Sequence, residues 1–221
     1  AGPPKMKMTT DIPASIKIPD AVETRLGTLR FEDGFPTEET AQKIYDQLDF
    51  QRAVESVILT TPAASLTGFR NGLRTLGPDN EAVSIWEERM DSKAQLLTPN
   101  CTVVYVLFWL NLKDGPMVLE TPPNVLGIID DFWFRYVTDF GLAGPDKGKG
   151  GTYVILPPDC KKSDAVIAKG IDALAGSHVV QSQTYGHWVI IRGFLEDGDP
   201  KPGVKNIKDN FKMYPLGKTA S

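Results

Sequence analysis

The longest apolar stretch of the chain, Val103 to Leu110, runs for eight residues and mixes valine and leucine with three aromatic side chains. It falls far short of the roughly 20 residues that cross a bilayer. A short run rich in β-branched and aromatic residues suits a buried strand. A strand is therefore expected over Thr102 to Leu112 and another over Met117 to Thr121. Lys113-Asp114-Gly115 between them carries the signal of a hairpin turn.

The rest of the chain divides around this point. Residues 1–22 are rich in proline and poor in periodicity, which predicts an extended arm. Thr24 to Phe31 alternates loosely before the turn signal Asp33-Gly34. Thr37 precedes Glu38 and Glu39, the pattern of a helix start with acids in its first turn. Helical spacing continues through Ile44, Leu48, Val54, Val57 and Ile58, with a break expected near Phe50. Further helices are expected over Ser65 to Leu73 and Ala82 to Met90. Beyond the apolar run, strands are expected over Phe132 to Val137 and Thr152 to Leu156, then a helix over Ser163 to Leu174. Val179 to Thr184 and His187 to Phe194 read as a strand pair about Tyr185-Gly186. Residues 203–221 read as a short helix and a tail. No repeat or linker divides the sequence, so residues 1–221 are expected to form one α+β, mainly β domain. In it an N-terminal helical segment packs on an antiparallel sheet or flattened barrel.

Charge excludes one class of partner. The formal net charge is −4, and no lysine or arginine cluster is long enough to follow a phosphate backbone, so nucleic acid is not expected. Cys101 and Cys160 form neither a CxxC pair nor a Cys/His metal spacing. With only two histidines, no transition metal and no cofactor are expected.

Chemical motifs are sparse. Gly144 to Gly151 is rich in glycine and lysine but lacks the phosphate-loop spacing and leads into a strand. It reads as a connection that could close over a site. Asp130 and Asp131 are adjacent, so on a strand they face opposite sides and cannot share a proton. Either could be a desolvated general base. Asn100-Cys101-Thr102 also fits a glycosylation acceptor. Aromatic residues crowd the strand region among polar groups, as in small-ligand sites. The candidate ligand-binding set is Asn100, Tyr105, Trp109, Asp131, Trp133, Arg135 and Arg192, and an arginine ending an apolar strand can clamp a carboxylate.

Several segments resemble one family. Leu-Thr-Pro-Asn at 97–100 with Tyr105 and Leu112 to Pro116, residues 33–40 and 44–53, Gly141 to Pro158, Ile190 to Phe194 and Phe211 to Leu216 follow the order seen in the domain of unknown function 1254 (DUF1254) family. The resemblance spans about Val22 to Leu216. It implies a β-rich fold and a bacterial exported protein, periplasmic or secreted after removal of a signal peptide. It also implies a neighbouring C-terminal DUF1214-like domain as partner, with a homo-oligomer as the other option. Many members carry an Asp-Thr pair where this chain has Thr102-Val103. The family has no agreed activity. The functional expectation is a module holding a small or oligomeric ligand in an aromatic-lined pocket, the alternative a hydrolase using Asp130 or Asp131 as general base.

Overall fold

A computed structural model describes residues 13–94, 96 and 99–218. The arm expected over 1–22 therefore lies partly outside the described residues, as do Leu97 and Thr98 of the Leu-Thr-Pro-Asn motif. In chain order the elements are a 3-10 turn Ala14–Ile16, β1 Ala21–Thr24, β2 Gly27–Glu32, β3 Phe35–Pro36, α1 Glu38–Leu73, β4 Ser84–Ile85 and β5 Val103–Asn111. Then come β6 Met117–Thr121, β7 Val125–Asp131, β8 Tyr136–Gly141, β9 Gly151–Leu156, α2 Ala165–Asp172 and β10 His178–Gln181. β11 Gly186–Phe194, α3 Lys201–Asn210 and β12 Lys212–Pro215 complete the order. The fold is α+β and mainly β, as expected from the sequence.

The chain forms two compact units, residues 1–59 and 60–221, and α1 contributes to both. In the first unit β1, β2 and β3 make an antiparallel sheet. Thr37 caps α1: its Oγ1 accepts from the Thr40 N–H at 3.3 Å, and its carbonyl accepts from Ala41 N at 2.9 Å. The break expected near Phe50 does not occur. Phe50 lies about 120° around α1 from Ile44, with Val54 and Ile58 between them, so the apolar positions spread over a broad arc while the helix continues. Residues 49–61 are exposed on every side, so no core face holds them to one phase. Even Pro62 is carried inside the helix, and the second helix expected at Ser65 is its continuation.

In the second unit two sheets face each other. One has the order β4-β5-β11-β7-β8, all antiparallel; the other has the order β10-β9-β6-β12, with β10 parallel to β9. Val104, Val106, Phe108 and Leu110 of β5, with Val189, Ile191, Ile129 and Phe140, meet Met117, Leu119, Tyr153 and Ile155 across the core. The far side of the four-stranded sheet is covered through Ile167 and Ile171 of α2. The outer side of the five-stranded sheet receives Trp86 and Met90 against Tyr105. β5 is buried on both faces, which is why its sequence reads as a continuous apolar run.

Four local expectations are corrected. Lys113-Asp114-Gly115 is no hairpin: it carries the chain from β5 in one sheet to β6 in the other. Val179 to Thr184 and His187 to Phe194 are not partners either, because β10 pairs with β9 and β11 runs between β5 and β7. The segment read as a strand at Phe132 is a turn between β7 and β8, closed by Phe134 N–H donating to the Asp131 carbonyl at 2.9 Å. Ala82 to Met90 holds the short strand β4 instead of a helix. Turn residues between two strands signal a hairpin only when both strands stay in one sheet, and that is a long-range property.

Candidate functional site

Strand alternation decides which polar groups meet. Trp109 lies opposite Trp188, Trp188 opposite Asp130, and Asp130 opposite Tyr136, so one row crosses four strands on the outer face of the five-stranded sheet. The next row is Leu107, Ile190, Ile128 and Asp139; the one after it holds Tyr105, Arg192 and Leu126. Of the candidates named from sequence, Tyr105, Trp109 and Arg192 therefore share this face. Asn100 sits at its edge, where its backbone N–H donates to the Tyr105 hydroxyl at 3.1 Å. The Arg192 guanidinium lies 5.6 Å from the Tyr105 ring centroid, a cation–π contact.

Asp131 turns the other way and is occupied. It accepts from the backbone N–H groups of Trp133 at 2.8 Å and Arg135 at 3.0 Å and from Arg135 Nε at 2.9 Å. Burial alone would raise its pKa, but the Arg135 side chain and these backbone donors hold it below the ordinary value. Asp131, Trp133 and Arg135 thus form the turn between β7 and β8. Asp131→Asn, which keeps shape but weakens the charge-assisted bonds, is expected to cost about 2 kcal/mol in urea unfolding.

Asp130 is the opposite case. It is 7% exposed, and among the described residues no hydrogen bond reaches its carboxylate. Desolvation, helped by the negative charges of Asp131 and Asp139, pushes its pKa up to about 6. Burial also raises Asp139 on the next row. Facing Asp130, Trp188 has a buried Nε1–H without an acceptor. Its ring packs against Phe134 at 5.4 Å and edge-on against Phe69 of α1 at 5.8 Å. Trp109 is fixed by the Arg70 guanidinium 5.1 Å above its ring and by Phe132 edge-on at 6.3 Å. Arg70 and Arg74 are in turn held by Asp79. Burial opposes ionisation of Asp79, but hydrogen bonds from Arg74 and Arg70 outweigh it and bring the carboxyl down to about 2.

Two arrangements escaped the sequence reading. On the core side, Ser182 Oγ lies 2.6 Å from Nε2 of the fully buried His187. Ser182 Oγ also accepts from Thr184 N–H at 3.2 Å, and the direction of its bond to Nε2 follows the imidazole tautomer. Burial lowers His187 to about 4, against smaller opposing pulls from the Leu110 backbone and Asp131. This is a serine–histidine pair locked in a turn, and only the tertiary fold brings the two residues together. In the glycine-rich loop, Asp146 is buried and accepts from Gly141 N–H at 2.7 Å, Gly150 N–H at 3.2 Å and Tyr153 Oη at 2.7 Å. Burial and the Asp146 carboxylate push the Tyr153 hydroxyl well above its ordinary value. The loop that could have closed over a site is tied to the sheet beneath it.

Both cysteines are free. Among the described residues no three His, Cys, Asp or Glu side chains converge as a metal ion would require, and no helix is long and apolar enough to cross a membrane.

No curated protein matches the chain. Among solved structures, the VPA0106 protein from Vibrio parahaemolyticus matches with a TM-score of 0.51 at 16% identity, over 75% of this chain and 39% of that one. The chain therefore spans about two fifths of the length of that structure, and the likeness shows a shared fold. A family model described as a protein of unknown function, DUF1254, matches residues 81–215, from just before β4 to the end of β12. The motifs at 33–40 and 44–53 lie before the matched region. With well over half of its residues matched, the chain belongs to the DUF1254 family.

Proposed function

We propose that the chain is a binding module for an uncharged, hydroxyl-bearing ligand, held on the outer face of the five-stranded sheet between Asp130 and Trp188. The observation that carries this reading is Asp130 itself. Asp130 is a largely buried residue whose carboxyl is substantially desolvated, and its cross-strand neighbour Trp188 has a buried indole N–H without an acceptor. A hydroxyl group can donate to the Asp130 carboxylate. The exposed rings of Phe134 and Tyr136 border the row and offer apolar surface to the body of a sugar or a hydroxylated ring. Asp130 and Asp139 together disfavour acidic ligands.

A thermal-shift screen of sugars, polyols, hydroxy-aromatics and carboxylic acids tests this. Neutral hydroxylated ligands should stabilise the protein, by about 2.7 kcal/mol at a hundred times the dissociation constant. Carboxylic acids should not, and Asp130→Asn and Trp188→Phe should lose the response while staying folded. A response to acids, or one that both variants keep, defeats the proposal.

A second reading rests on the titration of the same group. A carboxyl with a pKa near 6 exchanges protons near neutrality and could act as the general base of a hydrolase. A hydrolytic rate that rises through pH 6 and vanishes in Asp130→Asn would favour it. The family resemblance supports adding an exported location to the proposal; fractionation of the source cells checks that.

A further inference from the structure

We propose that the chain forms a two-fold dimer through the exposed middle of α1, with Val54 of one copy against Val54 of the other. Phe50, Val54 and Ile58 follow one another at four-residue spacing and make a single ridge along the helix. Phe50 and Ile58 are 65% exposed and Val54 42%. Leu59 beside them is 62% exposed. With Val57 these side chains present ~500 Å² of apolar surface, toward the upper end of what a monomer leaves open and over half of the ~800 Å² that one partner gives to a standard interface.

A second copy fits this surface because the pattern reads the same from either end. Large apolar groups stand four residues before and four after Val54, so an antiparallel copy places Phe50 on Ile58 and Ile58 on Phe50. Such self-complementarity is what an isologous contact requires, and interlocking two four-residue ridges sets the helices at about −50°. The charges agree. Arg25 and Lys43 balance Asp46 and Glu55 around the ridge, and Asp49 is paired with Arg52 away from it, so two copies meet without net repulsion. The ridge also floors a groove of about 740 Å³ bounded by Arg25 and Leu26 of the β1–β2 turn, room into which the partner's Phe50 can pack.

Analytical ultracentrifugation of the full chain, with a disulfide trap, tests the proposal. The wild type should sediment at twice the monomer mass at micromolar concentrations. Val54→Asp combined with Ile58→Asp should be monomeric. All four tryptophans lie at Trp86 or beyond, so their near-ultraviolet circular dichroism reports whether the second unit stays folded. In a background carrying Cys101→Ser and Cys160→Ser, Val54→Cys should cross-link at least about tenfold faster than Arg52→Cys, which points away from the ridge. The trap decides the matter even where the double variant unfolds. A wild type that stays monomeric, a dimer that survives the double substitution, or equal cross-linking at both positions overturns the proposal. A monomer that instead captures a separate domain through this ridge overturns it as well.

Discussion

Gly141→Ala is expected to destabilise the protein by about 4 kcal/mol, lowering its melting temperature by roughly 10 °C. Gly141 ends β8 with φ +77°, a conformation that costs a residue with a β-carbon about 1 kcal/mol or more. The larger part is steric. A β-carbon there would stand 2.0 Å from the carbonyl oxygen of Val125, which accepts the Leu142 N–H at 2.8 Å. Backbone on neighbouring strands would have to separate. The damage would spread into the glycine-rich loop, because the Gly141 N–H feeds Asp146 and its carbonyl accepts from Gly144 and Gly148. Gly72→Ala is the contrast: nothing lies within 4 Å of an added β-carbon on α1, so helix propensity alone should stabilise by about 0.5–1 kcal/mol. Thermal unfolding followed by circular dichroism measures both. If Gly141→Ala melts with the wild type, the close approach of β7 and β8 is wrong.

The second large effect is hidden in the wild type, because two buried groups titrate over one pH window in opposite directions. His187 has its pKa lowered from 6.5 to about 4, so the folded state binds fewer protons than the unfolded chain between those values. Its contribution to stability is complete above pH 6.5 and is lost as pH falls toward 4, by about 3 kcal/mol. Asp130 has its pKa raised from 3.8 to about 6, so the folded state keeps a proton that the unfolded chain has released. Its contribution is complete below pH 3.8 and is lost as pH rises through 6, by about 3 kcal/mol. The slopes of these two groups largely cancel between pH 4 and 6. Asp130→Asn removes one of them: stability near pH 7 should rise, and the loss on acidification should steepen toward the full histidine value. His187→Gln should do the reverse and leave a protein that gains stability as the pH falls toward 4. Urea midpoints at half-unit pH steps separate the two, and an Asp130→Asn profile parallel to the wild type would sink the account.

Fold class and family were legible because they rest on local signals. β-branched and aromatic runs mark strands wherever they pair, and Thr37 with two following glutamates marks the start of α1 through interactions confined to one turn. Sheet membership was not legible. The stretch Lys113-Asp114-Gly115 has the composition of a hairpin, yet β5 and β6 find their partners at β11 and β9, far along the chain. For the site, alternation correctly predicted that Asp130 and Asp131 point apart. It could not say which was free, because that depends on the turn residues Trp133 and Arg135 turning their donors onto Asp131. The pairing of Ser182 with His187 and the anchoring role of Asp146 needed the packed core as well. The continuity of α1 past Phe50 was missed for a different reason: an exposed helix segment has no buried face to impose a single phase.

The hand-over of consecutive strands between sheets shapes how the protein must fold. The five-stranded sheet is centred on a pairing of Val103 with Phe194, and the four-stranded sheet is closed by a pairing of Glu120 with Lys212. Neither sheet can assemble from one continuous stretch of chain: one waits for β11 and the other for β12. Such high contact order delays the reward for closing loops until residues 186–215 have been made. The apolar strand β5 must meanwhile wait, unpaired on its β11 side, for a partner 75 to 91 residues later. A nascent chain of this kind depends on protection from aggregation during synthesis, and shortening it at β11 would leave its most hydrophobic strand permanently exposed along one edge.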